Sequence, residues 1–441
     1  MSSRDALEIV VIRRITRRLI PFLFVLYIAA WLDRVNVGFA ALHMNSELKF
    51  SSAAFGFGSG VFFLGYCLFE VPSNLILHRI GARLWIARIM ITWGLIAAAM
   101  TFVRTPPAFY TLRFLLGVAE AGFFPGVIYY LSQWYPHANR ARAIAAFMLA
   151  IPVAGLVGGP LSGALLGLNG LYGLAGWQWL FLLEGLPSVL LGLIALVYLT
   201  DRPAGASWLT TPERTWLVTR LSAEHEAAQA ANPIGVIAAL RNRTVWHLGS
   251  IFFLANVGFY AYSIWSPQII KSLIGTSDLL VGVISGGISA IVTVVMLWNG
   301  AHSDRSGERP LHVAIPMFVM CAGFAATAAL GTSQSAILFL ALVPIGIGAA
   351  MGPFWSMPSA FLVGKPAAAG IALVATIVNF SGFVGPTLVG ALRGQAGNYS
   401  TGFLLLSAAA GIGALLTLQL RRPAALELVQ PTSIARTRAD R

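Results

Sequence analysis

Asn74–Arg83 reads NLILHRIGAR and Gly300–Arg309 reads GAHSDRSGER. In both segments a basic residue, one spacer, a glycine, one spacer and an arginine follow each other: Arg79, Gly81, Arg83, then Arg305, Gly307, Arg309. The copies lie 226 residues apart, about half of the 441-residue chain. Each sits between the second and third of six apolar stretches. A chain that repeats itself at half its length, six stretches at a time, predicts two parallel six-helix halves.

The surrounding stretches predict where those helices lie. A helix crossing a bilayer needs about 20 mainly apolar residues, and twelve segments qualify. Six lie near 19–42, 54–77, 84–103, 108–132, 143–168 and 177–200, and six near 244–270, 279–301, 311–331, 335–361, 368–392 and 400–420. The expected class is an all-α integral membrane protein with 12 transmembrane helices. Its expected organisation is a tail at 1–18, a six-helix half at 19–200, a central loop at 201–243, a second half at 244–420 and a tail at 421–441. Composition agrees: 57% of residues are hydrophobic and 10% charged, against about 25% charged in soluble domains.

Net charge is +13, which raises the question of nucleic acid. Its distribution argues for topology instead. Of 29 Lys and Arg, 23 fall on the side holding both termini and the central loop. Four (Lys49, Arg104, Lys271, Arg393) fall on the other, and two (Arg34, Arg113) lie inside spans. The positive-inside rule then places both termini and the central loop in the cytoplasm, with the basic residues facing anionic lipid and no nucleic-acid partner. The N-terminal basic stretch runs straight into an apolar segment long enough to span, so it reads as a tail and not as a cleaved signal. Within the loop, TTPERTWLVTRL reads as a helix start on the membrane surface. Cys67, Cys321 and the seven histidines make no metal-spaced cluster, so no metal or cofactor is expected.

The spans nevertheless carry charge. Trp31–Gly38, WLDRVNVG, holds Asp33 and Arg34 side by side in an apolar run, and Arg113 and Glu120 lie seven apart in the fourth. An ionised group at the bilayer centre costs about 2.5–3.5 kcal/mol or more, so these four must face a protein interior or an aqueous cavity. Seven residues are two helical turns, placing Arg113 and Glu120 on one face about 10 Å apart. Asp33 and Arg34 diverge by about 100°, so that one can meet a cavity and the other span four. Such a set can be a fixed structural network. It can also couple ions: desolvation favours a neutral carboxyl and an adjacent arginine the ionised one. An anion that competes for the arginine therefore promotes proton uptake. Glu70 and Glu184, nearer span ends, are expected to be structural, Glu70 holding Arg79, Arg83 or Arg140 and Glu184 pinning a neighbouring helix.

The copy at Gly300–Arg309 resembles the signature loop of the major facilitator superfamily, G-x-x-x-D-R-x-G-x-R. The first copy has Asn74 for the glycine and His78 for the acid. Further segments are similar to the anion:cation symporter family within it: LDRVNVGFA, EVPSN, RIGARLWIARIM, RFLLGVAEAGFFPGVIYYLSQWYPHANRARA, GWQWLFLLEGLP and GPFWSMPSAFLVGKPAAAGIALVATIVNFSGFVGP. Bacterial permeases for tartrate, phthalate and hydroxyphenylacetate are the members it resembles. The resemblance implies that Asp33 and Glu120 take up protons. It implies that Arg34 and Arg113 bind carboxylate or tune those acids, and that Tyr66, Ser356 and Asn379 line the pocket. Trp355 joins them as a ring that suits an apolar body, packing being the alternative. Arg79, Arg83, Asp304, Arg305 and Arg309 would hold a gate, or merely anchor the loops.

No metalloprotease, nucleophile-elbow or Walker motif is present, which argues against a membrane enzyme or an ATP-driven pump. The expectation is a monomeric, proton-coupled symporter taking up a small organic anion: tartrate-like, a sugar acid or an aromatic acid. A uniporter, an antiporter and a non-transporting sensor are the alternatives.

Overall fold

A computed structural model describes residues 3–229, 241–361 and 367–420. The C-terminal tail at 421–441 and the end of the central loop at 230–240 lie outside the described residues. Among those described, twelve helices are long and apolar enough to cross a membrane. Spans 1–6 are Leu7–Glu47, Ser52–Ile80, Ala82–Phe102, Pro106–Ser132, His137–Leu166 and Gly176–Tyr198. Spans 7–12 are Arg243–Ile274, Asp278–Ser306, Pro310–Leu330, Ala336–Pro358, Leu373–Ala396 and Ser400–Leu418. Each apolar stretch read from the sequence became one span, and the spans form two six-helix halves. Span 1 belongs to a helix that starts at Ser3, so the segment expected as a tail is already helical.

The helix ends follow local chemistry. Ser51 and Ser277 accept hydrogen bonds from the backbone N–H of Ala54 and Leu280, at 3.1 and 3.3 Å, as N-caps. Gly275 and Gly307 close spans 7 and 8 in the left-handed conformation. Large apolar side chains face outward, Val197 being 83% exposed. In water such residues would be a liability; against lipid they are the solvent-facing surface. With lipid outside, helices gain little by hiding apolar surface and associate through close backbone approach. Spans 2 and 4 do this where a Cβ on Gly117 would fall 1.9 Å from the Phe62 carbonyl oxygen.

With an even number of spans, Ser3 and Leu420 share one face of the bundle, here the terminal face; the opposite one is the distal face. Glycine contacts between the halves cluster toward the distal face. A Cβ on Gly56 of span 2 would lie 2.5 Å from the Pro386 oxygen of span 11, and one on Gly159 of span 5 would lie 2.5 Å from the Gly282 oxygen of span 8. A Cβ on Gly38 of span 1 would lie 2.8 Å from the Ile264 oxygen of span 7. At the same face, Asp278 of the second half binds both His43 of the first (2.6 Å) and Lys271 of its own half.

Span 4 is interrupted. Its first helix ends at Glu120, its second begins at Phe123, and Gly122 between them has φ +85°. The sequence reading took this segment as one continuous helix; the signal for the break was Gly122 with Pro125 behind it. Span 5 is likewise divided at Leu149. The central loop forms a helix, Thr211–Gln229, as its start signal predicted. The helix packs against the first half: Leu217 and Leu221 are buried, and Glu213 binds Arg14 at 2.6 Å.

The two signature loops are built differently. In the second, Arg309 binds Asp304 of its own loop at 2.6 Å. The first lost that acid, and Asp201, at the end of span 6, replaces it: its Oδ1 accepts the Arg83 backbone N–H at 2.8 Å and its Oδ2 lies 3.6 Å from the guanidinium. Gly81 makes room, having φ +103° and standing where a Cβ would be 2.7 Å from the Asp201 Oδ1. A Gly81→Ala substitution is expected to cost about 1–3 kcal/mol through that backbone conformation, read as a lower unfolding temperature in detergent; Gly307→Ala is strained too, at φ +65°, but meets no neighbouring atom.

Candidate functional site

Arg34 and Glu120 form an ion pair between spans 1 and 4. It is nearly dry, the side chains being 15% and 2% exposed. Glu120 holds the last turn before the break in span 4, so its carboxylate stands at a helix end inside the bundle, a construction typical of binding sites built from discontinuous spans. Its second oxygen is buried without a partner. Aromatic rings surround the guanidinium: Tyr66 at 5.2 Å, Phe62 at 5.7 Å and Trp31 at 5.8 Å from ring centroid to Arg34 Cζ.

Arg113 packs against the same Phe62 ring, whose centroid is 4.9 Å from its Cζ. It is 1% exposed. It donates to the Ser59 carbonyl oxygen at 3.3 Å, its Nε is orphaned, and among the described residues it makes no ion pair. Arg113 and Glu120 do not pair, as their two-turn spacing required; Phe62 neighbours both arginines, and the guanidinium of Arg34 takes Glu120. A buried cation without an anion carries a desolvation cost of several kcal/mol.

Asp33 turns away from this group. It accepts hydrogen bonds from Trp93 Nε1 of span 3, from Ser188 Oγ of span 6 at 3.1 Å and from Asn36 Nδ2 at 3.4 Å. Of the two neighbours, therefore, Arg34 meets both the cavity and span 4, and Asp33 meets neither. Sequence spacing gave the angle between them but not what stood on either side.

The second half closes the site with rings. Tyr260 packs edge-on to Phe63, 4.5 Å between centroids, and with Phe259 and Ser263 lines the small space beside Arg34. Trp31, Val35, Phe259 and Ser263 also line a larger cavity of about 160 Å³ between the halves, room for about five waters. Among the described residues its walls include Ser285, Ser289 and Thr293 of span 8 and no charged side chain. Trp31 and Phe62 were not singled out from the sequence; Trp31 precedes Arg34 by three residues, and that helical spacing was the available signal.

The other expected residues are dispersed. Asn379 lies against Glu70 across the two halves, and among the described residues Glu70 makes no ion pair with the loop arginines; Arg140 instead donates to the Ser132 and Tyr135 carbonyls. Trp355 packs edge-on to Phe252 and Phe354, and Ser356 donates to the Pro353 carbonyl at 2.7 Å. Arg79 and Arg305 are exposed on the terminal face.

Twelve spans in two halves, with a charged site enclosed between them, define a membrane transporter. The model of the Major Facilitator Superfamily matches residues 23–386, and the chain belongs to that family. It is 48% identical over 420 residues to a protein of Agrobacterium vitis named "Putative tartrate transporter", covering 95% of this chain and 96% of that one. It is 41% identical to a "Quinolone resistance transporter" of Acinetobacter baumannii over 92% and 94% of the two chains. Among solved structures, a bacterial homologue of the human lysosomal transporter Spinster shares the fold, with TM-score 0.71 at 18% identity over 91% and 95% of the chains. These relatives are consistent with the anion:cation symporters that the sequence resembles.

Proposed function

We propose that the protein is a proton-coupled symporter for a small organic carboxylate, working by alternating access from a bacterial inner membrane with both termini in the cytoplasm. The observation that carries this reading is Arg113: a buried guanidinium without a carboxylate partner, beside a second arginine whose partner is an acid that can be displaced. A substrate carboxylate supplies the missing anion. It also competes with Glu120 for Arg34; released from the arginine in a dry site, Glu120 binds a proton. Uptake of an anion then carries a proton with it. The Agrobacterium relative's name supports a hydroxylated diacid, and the hydroxyls of span 8 suit such a body.

The halves are clamped at the distal face, so the state described is read as closed to the periplasm. His43–Asp278–Lys271 is the polar part of that clamp. Asp278→Asn is expected to raise, several-fold, the rate at which a membrane-impermeant thiol reagent added outside labels a cysteine at Ser263, in a background lacking Cys67 and Cys321. An unchanged rate removes the clamp from gating. Of the signature-loop residues, Arg83, Asp304 and Arg309 are assigned to holding the terminal ends of the spans, Arg83 through Asp201, and the exposed Arg79 and Arg305 to anchoring the loops.

The direct experiment is uptake into proteoliposomes under an imposed inward proton gradient, with tartrate, galactonate, phthalate, hydroxyphenylacetate and a neutral sugar. Gradient-dependent uptake of one carboxylate, abolished by a protonophore, is the expected result. Uptake of the neutral sugar alone, indifferent to the gradient, overturns the reading. The Acinetobacter relative's name favours one second reading, anion–proton exchange outward; acceleration of efflux by an opposing proton gradient is its signature.

A further inference from the structure

Behind the ion pair lies a second polar pocket. It is formed by Asp33 and Asn36 of span 1, Ser162 of span 5, and Glu184 and Ser188 of span 6, all at most 5% exposed. Asn36 lies between the two carboxyls, donating Nδ2 to Asp33 Oδ1 at 3.4 Å and lying against Glu184. Glu184 accepts from Ser162 Oγ at 2.9 Å through one oxygen. Its other oxygen, Oε2, is buried with no partner, and so is Asn36 Oδ1. Among the described residues no Lys, Arg or His makes an ion pair with Asp33 or Glu184. The charged groups that face Asp33 are Glu184, Glu120 and Arg113, and the one that faces Glu184 is Asp33.

Two ionised carboxylates in a dry pocket without a paired cation are unfavourable twice over, by desolvation and by mutual repulsion. Donor accounting points the same way. The two orphan atoms are both acceptors, and a proton on Glu184 adds a donor to a pocket that is short of them.

We propose that Glu184 is a proton-carrying group: the Asp33–Asn36–Glu184 pocket holds one proton shared between its two acids, separate from the one taken by Glu120. The proposal rests on the symport reading for its role in transport, but not for the existence of the proton. During the cycle the proton enters from the distal solution, resides on one of the two acids and leaves to the terminal side, so no other reactant is consumed. Because Asp33 adjoins Arg34 in sequence, a shift of span 1 on substrate binding moves both pockets together.

The test is an infrared pH titration of the full chain in lipid nanodiscs, followed by transport. The wild type is expected to show a buried carboxylic-acid stretch near neutral pH that Glu184→Gln abolishes or moves to Asp33, and that Asp33→Asn perturbs. If Glu184→Gln folds poorly, Ser162→Ala serves: removing the donor to the carboxylate extends the band to higher pH. A band unaltered by all three variants overturns the proposal. Loss of the band when sodium replaces potassium also overturns it, by assigning these oxygens to a sodium ion. In proteoliposomes with tartrate, Glu184→Gln is expected to lower the proton-to-tartrate ratio by about one; an unchanged ratio means that this proton is not transported and removes Glu184 as a carrier. If the wild type moves tartrate without proton coupling while the band is present, the symport reading fails and the shared proton stands.

Discussion

Arg113→Ala abolishes carboxylate binding and leaves the protein at least as stable as before. Those two results together are the expected outcome, and their combination is diagnostic. Removing one partner of a desolvated, hydrogen-bonded charge pair costs about 2–5 kcal/mol, which corresponds to roughly 30-fold or more in affinity. Stability moves the other way, because in the absence of substrate Arg113 has no carboxylate to lose. It gives up one bond to the Ser59 carbonyl and its place against Phe62, and with them the cost of burying a cation. Arg34→Ala is different. It strands Glu120, 2% exposed, without its partner, so affinity and stability fall together. Isothermal titration with the carboxylate identified by the uptake panel, and thermal unfolding of the same preparations, separate the two arginines. An Arg113→Ala protein that unfolds earlier and binds normally would show a structural arginine and remove the anion site.

Glu120→Gln is expected to retain exchange and lose accumulation. The amide preserves size and can still accept from Arg34, so the substrate carboxylate still finds a guanidinium. It cannot gain and lose a proton. A one-unit pH gradient supports about tenfold accumulation per coupled proton, and with Glu120 neutralised the contribution of that proton vanishes while counterflow of labelled substrate continues. Under an identical imposed gradient, wild-type accumulation by the variant would take Glu120 out of coupling. The position of Glu120 at the break in span 4 adds a second expectation. Gly122→Ala places a Cβ 2.4 Å from Ser73 Oγ and requires an L residue at φ +85°, which displaces the carboxylate from Arg34. Transport is expected to drop even though every charged residue is present.

Both predictions depend on how side chains meet, and this divides what was legible in the chain from what was not. Twelve spans, two halves and the bias of the basic residues toward one face were readable because each is a property of a single stretch. A run of apolar residues is long enough to cross lipid whatever lies beside it, and a repeat at 226 residues is visible without coordinates. The need for Asp33, Arg34, Arg113 and Glu120 to face protein was readable too, from the cost of charge in hydrocarbon.

Their partners were not. Arg34 meets Glu120 across 86 residues, Asp33 meets Ser188 across 155, and Arg83 meets Asp201 across 118. Glu70, expected at the loop arginines, reaches Asn379 in the other half. Each of these pairings is set by the rotation of one helix about its axis and by how closely a second approaches, and that approach is fixed by glycine contacts such as Gly117 on Phe62. The hydrophobic pattern is nearly all-round in a membrane span, so it marks no face and leaves that rotation undetermined. The sequence alone therefore determined that this chain crosses a membrane twelve times in two halves and carries buried charge of both signs. The tertiary structure alone decided that one arginine is paired and the other is left without a carboxylate, and that two further acids stand together behind them.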